Sequence, residues 1–116
     1  MIAVIFEVTP AEGRVDDYLT HAARLREALA GMPGFISVER FRSLTQPEKL
    51  LSLSFWEDEA AVANWRNHAA HRDSQRAGRD GVFASYRLRV AAVLRDYGME
   101  ERREQAPADS NAQWGL

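Results

Sequence analysis

FWEDEAAVANWRNHAAHR, residues 55–72, carries the chain from the end of a strand into a helix. Trp56 closes a strand-like run, and Glu57, Asp58 and Glu59 follow as an acidic first turn, where the helix dipole favours negative charge. Trp65, His68 and Arg72 recur at i, i+3 and i+7, which predicts that they share one stripe of that helix. An indole with an imidazole and a guanidinium beside it is equipped to line a small-molecule pocket. The same spacing also suits a helix edge on which Trp65 plugs the core and the polar groups reach water.

Upstream of this stretch, the alternation predicts a strand over Lys49 to Trp56, with Leu51, Leu53 and Phe55 on one face and Ser52 and Ser54 on the other. Phe35 to Ser43 reads as the strand before it, joined by a turn over Thr45 to Glu48 that contains Pro47. At the start of the chain, Ile2, Val4, Phe6 and Val8 alternate with Ala3, Ile5, Glu7 and Thr9, a strand that Pro10 and Gly13 end. Tyr18, Ala22, Leu25, Leu29 and Met32 follow helical spacing, and Gly31, Pro33 and Gly34 stop that helix. Downstream, the second helix is expected from about Asp58 to about Arg76, with a break near Gly78. A short helical turn over Gly81 to Ser85 and a last strand over Tyr86 to Tyr97 follow, with Tyr86, Leu88, Val90, Ala92 and Leu94 on one face. The order is β-α-β-β-α-β, the α+β ferredoxin-like pattern with an antiparallel sheet.

Beyond Met99 the composition changes. A folded domain is expected over residues 1–98 and a tail over 99–116, in which Glu100 to Gln105 is a charged run and Pro107 to Asn111 resembles a polar linker. Trp114 does not fit that composition and is expected to anchor the tail. With two helices on one side of the sheet, the other side is expected to present Ala3, Ile5, Phe41 and Val93 together with Glu7, Glu39, Ser52, Ser54, Arg87 and Arg89. A half-apolar face of this kind reads as a homodimer interface, with a mottled solvent face as the alternative.

At 116 residues the chain is one domain with a modest core. Its 28% charged and 46% hydrophobic residues describe an ordinary globular protein, and a net charge of −2 offers no basic footprint for nucleic acid. The absence of cysteine removes disulfides, thiolate metal sites and cysteine nucleophiles together. The first residues alternate and carry no basic n-region, so no signal peptide is read, and no window approaches the roughly 18 apolar residues of a membrane span. A cytoplasmic location without membrane partners is expected.

These residues carry a resemblance. The opening strand ending in VTPAEG, the Met32-Pro33-Gly34-Phe35 break, the Phe55-Trp56 strand end, Trp65 nine residues after Trp56, and the closing YRLRVAAVLRDY strand are similar to the antibiotic biosynthesis monooxygenase (ABM) family of the dimeric α+β barrel superfamily. The resemblance covers about Met1 to Tyr97. It implies a homodimer whose two sheets pack face to face, with a pocket in each subunit between sheet and helices. Cofactor-independent oxygenases acting on polycyclic phenols, quinol oxygenases and haem-degrading enzymes share this family's fold. The haem-degrading branch pairs an asparagine on the first strand with a helix tryptophan and an axial histidine. Trp65 matches the tryptophan, but Phe6 or Glu7 stands near the asparagine position and Gln75 at the histidine position, which disfavours haem degradation.

The candidate site is therefore Trp65 and Phe6 for substrate contact, His68 as general base towards a phenolic proton, Arg72 as a planar clamp for a phenolate, and His21 on the first helix pointing at the same cavity. Each has a structural alternative: Trp65 as core, His68 and His21 as boundary histidines, and Arg72 as a complement to the helix dipole. His71 falls away from Trp65 on the helical wheel and reads as solvated. No ligand set for a metal stands close by, and no G-x-S-x-G, G-x-G-x-x-G or Walker loop supports serine chemistry, flavin or nucleotide. The expectation is a cofactor-independent monooxygenase of a small aromatic, phenolic or quinol-like substrate, without flavin, haem or metal. The alternative is a non-catalytic dimeric module of the same fold that binds small molecules or serves a stress-related role.

Overall fold

The structure, a computed structural model, describes residues 1–68, 72, 75, 76 and 78–113. His71 and Trp114 lie outside the described residues, so the readings placed on them are not taken further. Strand β1 (Ile2–Pro10) leads into helix α1 (Val15–Ala30), then strands β2 (Phe35–Arg42) and β3 (Leu50–Trp56), helix α2 (Glu59–Arg66) and strand β4 (Phe83–Ala92). The sheet runs β2-β3-β1-β4 and every pairing is antiparallel. This is the expected α+β ferredoxin-like arrangement, with two helices on one face of the sheet.

Local chemistry explains the joints. Asp58 takes an extended conformation and its carboxylate accepts a hydrogen bond from Ala61 N at 2.8 Å, which fixes the first turn of α2. Gly34 has φ +80, and a Cβ placed on it would lie 2.6 Å from the Ala61 side chain, so only glycine lets the α1–β2 turn pass this close to α2. Glu57 N donates to Gly34 O at 2.8 Å and ties the same turn to the end of β3.

The structure corrects several boundaries. Helix α2 ends at Arg66 and does not continue unbroken to about Arg76. Asn67 caps it: its side-chain amide donates to Ala63 O at 2.9 Å, and His68 N turns back to Trp65 O at 2.9 Å. A helical bond resumes from Arg72 N to His68 O, so His68 and Arg72 stand beyond a break in the stripe that was expected to carry them with Trp65. The turn expected over Gly81 to Ser85 is a π-type turn over Gly78–Val82, with Gly81 at φ +99. Strand β4 accordingly starts at Phe83 and ends at Ala92, well short of Tyr97, because β1 is its partner and the register Ile2 to Ala92 exhausts β1. One last bond, from Val93 N to Met1 O, closes the ladder.

The faces of β3 are also exchanged relative to the expectation. The β1–β3 register pairs Val8 with Leu50, Phe6 with Ser52, Val4 with Ser54 and Ile2 with Trp56, all on the side covered by the helices. Leu51, Leu53 and Phe55 pair with Glu7, Ile5 and Ala3 on the open side. The reason is Trp56, which is 1% exposed and therefore fixes the covered side for every second residue of its strand.

The core beneath the helices is divided. One cluster gathers Val8, Tyr18, Leu50 and Val82; another gathers Leu29, Trp56, Ala61 and Trp65. After β4 the chain folds back on itself: Asp96 N donates to the Gln105 side chain at 2.9 Å, the Arg103 guanidinium sits 5.1 Å from the Tyr97 ring centroid, and Ala106 is buried. The segment expected as a polar linker forms a short helix, Ala108–Gln113, started by Pro107, a residue suited to helix beginnings.

Two stability measurements check these joints. Asp58→Ala removes the cap of α2 and should lower unfolding free energy in urea by about 1 kcal/mol. Gly34→Ala combines a left-handed backbone with a side-chain clash and should cost about 2–4 kcal/mol. Adding Ala61→Gly to Gly34→Ala relieves the clash but not the backbone strain, so it should recover only part of the loss.

Candidate functional site

A cavity of about 840 Å³ opens between the sheet and the helices. Its position follows from the two middle rows of the sheet. In the first row, Arg40, Ser52, Phe6 and Leu88 lie side by side across β2, β3, β1 and β4. In the second, Val38, Ser54, Val4 and Val90 do so. All eight line the cavity. The flanking rows end in the large side chains of the two core clusters, whereas serine is too small to fill the space under a helix. The cavity is the gap between two plugs, floored by Arg40, Val38 and two serines on one half and by apolar side chains on the other.

The plug at one end is aromatic. Trp56 packs edge-on to Phe35 at 5.4 Å and lies 6.3 Å from Trp65 at an interplanar angle of 30°. Trp56 Nε1 donates to Ser54 Oγ at 2.9 Å, which satisfies the buried indole and leaves the serine O–H as a donor. At the other end Phe6 packs on Phe83 at 5.8 Å and on Tyr86 at 5.7 Å, and Tyr18 meets Phe83 at 5.9 Å. A flat ring fits between such walls.

The expected site residues divide. Trp65, His21 and Phe6 line the cavity. His68 does not; its imidazole stacks on the Trp65 indole at 5.5 Å and 23°. Arg72 is not a lining residue either, and its guanidinium donates to Asn67 Oδ1 at 2.6 Å. Both outcomes follow from the break at Asn67, which takes the chain out of the stripe begun by Trp65. His21, half-buried on α1, is the imidazole that faces the cavity among the described residues.

Arg40, Ser52, Ser54, Tyr18, Arg66 and Arg79 also line the cavity and were not singled out by sequence. The signal for the serines was the parity of Trp56, since residues two and four before a buried tryptophan share its face. Among the described residues no three of His, Asp and Glu come together as a metal site, and no helix is long and apolar enough to cross a membrane.

The family model for antibiotic biosynthesis monooxygenases matches residues 1–77. The chain is 43% identical over 113 residues to a Pyricularia oryzae protein named jasmonate monooxygenase ABM, covering 97% of this chain and 53% of that protein. It thus spans about half the length of that relative. It is 32% identical to the uncharacterized protein YqjZ of Bacillus subtilis, covering 85% of this chain and 84% of the relative. The fold is similar to that of SnoaB, a cofactor-independent oxygenase from Streptomyces nogalater, with a TM-score of 0.72, 14% identity, and coverage of 86% and 97% of the two chains. By the family match and the YqjZ identity together, the chain belongs to the antibiotic biosynthesis monooxygenase family.

Proposed function

We propose that the protein is a cofactor-independent monooxygenase acting on a small ring substrate of phenolic, quinol or anthrone type. The observation that carries this reading is the cavity itself: aromatic at both ends, apolar over half its floor, and bearing an imidazole on its α1 wall. A relative named as a monooxygenase and a structural neighbour named as a cofactor-independent oxygenase support it.

Electron balance selects the substrate class. Converting a ring methylene to a ketone uses all four oxidising equivalents of dioxygen, one oxygen atom entering the product and the other leaving as water. Such a substrate supplies every electron itself, whereas hydroxylating an unactivated C–H bond requires two more from a reductant. The protein's share is to hold the ring and take the first proton, after which the electron-rich anion reacts with dioxygen. We assign that proton to His21, and to His68 the role of fixing the Trp65 wall by stacking on it. A non-catalytic binding module is the second reading, favoured by the position of His68 and Arg72 off the cavity wall.

The same reading includes a second copy of the chain on the open sheet face. Leu51, Leu53 and Phe55 lie there, Phe41 is 42% exposed beside them, and Glu7 with Arg89 at 3.4 Å supplies charge. Exchanging the two faces of β3 would carry Leu50 and Trp56 out of the core, so Leu51, Leu53 and Phe55 stay on the open side, where only a partner can bury them, at about 1.5–3 kcal/mol for each. The observed arrangement is favoured once a partner covers the open face.

Under isotopically labelled dioxygen, anthrone should yield anthraquinone and a ring hydroquinone the corresponding hydroxyquinone, each carrying one labelled atom while the other leaves as water. His21→Ala should lower kcat by about 10², and His68→Ala by much less. Binding of these compounds without label incorporation would leave the binding-module reading in its place. Sedimentation should give twice the chain mass, and Leu53→Glu should shift the species to the mass of one chain. A wild-type protein that sediments as one chain would remove the interface.

A further inference from the structure

The walls of the cavity are charged in one sense. Among the described residues Arg40, Arg66 and Arg79 line it, together with His21, and no aspartate or glutamate does, in a chain whose net charge is −2. None of the three guanidiniums takes part in an ion pair among the described residues. Arg66 and Arg79 are exposed. Arg40 is different: it is half-buried on the covered face of β2, opposite Ser52, and its Nε is buried with no hydrogen-bond partner among the described residues. It also borders a second groove along α1, lined by Arg26 and Glu27. A buried guanidinium N–H without an acceptor is an uncommon and costly arrangement in a folded protein, and an oxyanion is the acceptor that guanidinium matches best in charge and in planar geometry.

The floor sets where such an anion sits. Arg40, Ser52 and Ser54 occupy the β2–β3 half together with Val38, and Ser54 keeps an O–H to donate because its oxygen already accepts from Trp56. Phe6, Leu88, Val4 and Val90 occupy the β1–β4 half. A floor with one guanidinium and two hydroxyls on the β2–β3 half and only hydrocarbon on the β1–β4 half suits an amphiphile.

We infer that the cavity selects an amphiphilic anion, a ring compound bearing a permanently ionised carboxylate or equivalent oxyanion, anchored by Arg40 and drawn in by Arg66 and Arg79. The inference rests on the cavity being the ligand site and gives that site a specificity the ring chemistry alone does not supply. The guanidiniums bind and orient; none takes part in bond making.

The test uses a matched pair of fluorescent probes, anilinonaphthalene sulfonate and its uncharged parent phenylnaphthylamine. Wild-type protein should prefer the sulfonate by about tenfold, the usual scale of a charge-assisted contact. Arg40→Gln should abolish that preference while holding the affinity for the neutral probe within about twofold, and Arg40→Lys should retain part of it. Arg66→Gln combined with Arg79→Gln, both at exposed positions, should weaken sulfonate binding and its dependence on salt, and gives the answer independently should Arg40→Gln fail to fold. An unchanged preference in these variants would overturn the inference, as would an equal loss of both probes in Arg40→Gln, which marks a packing role. Charge preference without oxygenation leaves this inference standing and removes the catalytic reading; oxygenation with no charge preference does the reverse.

Discussion

The burial of Trp56 is the constraint from which the remaining geometry descends. Its indole is enclosed by Phe35 and Trp65, and its one polar atom is satisfied by Ser54 within the same strand. A side chain of that size, 1% exposed, cannot be turned to the other side of the sheet without emptying the core. Since side chains alternate along a strand, fixing Trp56 fixes Ser54 and Ser52 on the covered face and Phe55, Leu53 and Leu51 on the open one. The hydrogen bond to Ser54 makes the choice self-consistent, because the serine is both the acceptor the tryptophan needs and the small residue that leaves room beside it.

Two surfaces arise from that one choice. Under the helices, the serine rows separate an aromatic plug at the Trp56 end from a second cluster around Val8 and Tyr18, and the space between them is the cavity. On the open side, the same alternation concentrates apolar side chains at the centre of the sheet, framed by Glu7, Arg87 and Arg89. The hollow interior and the apolar exterior are two consequences of the parity of one strand.

The order of elements was legible in the sequence because alternation, helical spacing and glycine–proline breaks all agree from Met1 to Trp56. The α2 break was not. Ala69 and Ala70 beyond it continue a good helical composition, and the stop is made by a single asparagine side chain folding back on Ala63. The end of β4 was missed for a different reason: its residues keep alternating to Tyr97, but an edge strand ends where its partner ends, and that is a property of β1. For the site, Trp65, Phe6 and His21 were accessible from type and spacing. Arg40 and the serines were not, since period-two patterning marks two faces without saying which one the helices cover.

Seen this way, Leu50 to Trp56 behaves like a reading frame. Length changes in the 43–49 connection alter only a solvent-exposed turn. A single residue gained or lost within the strand would instead transpose its two faces, presenting leucines to the cavity and serines to the outside. Variation among homologous chains should then accumulate on either side of this segment while its length stays invariant, an evolutionary signature imposed by parity and independent of which compound the cavity receives.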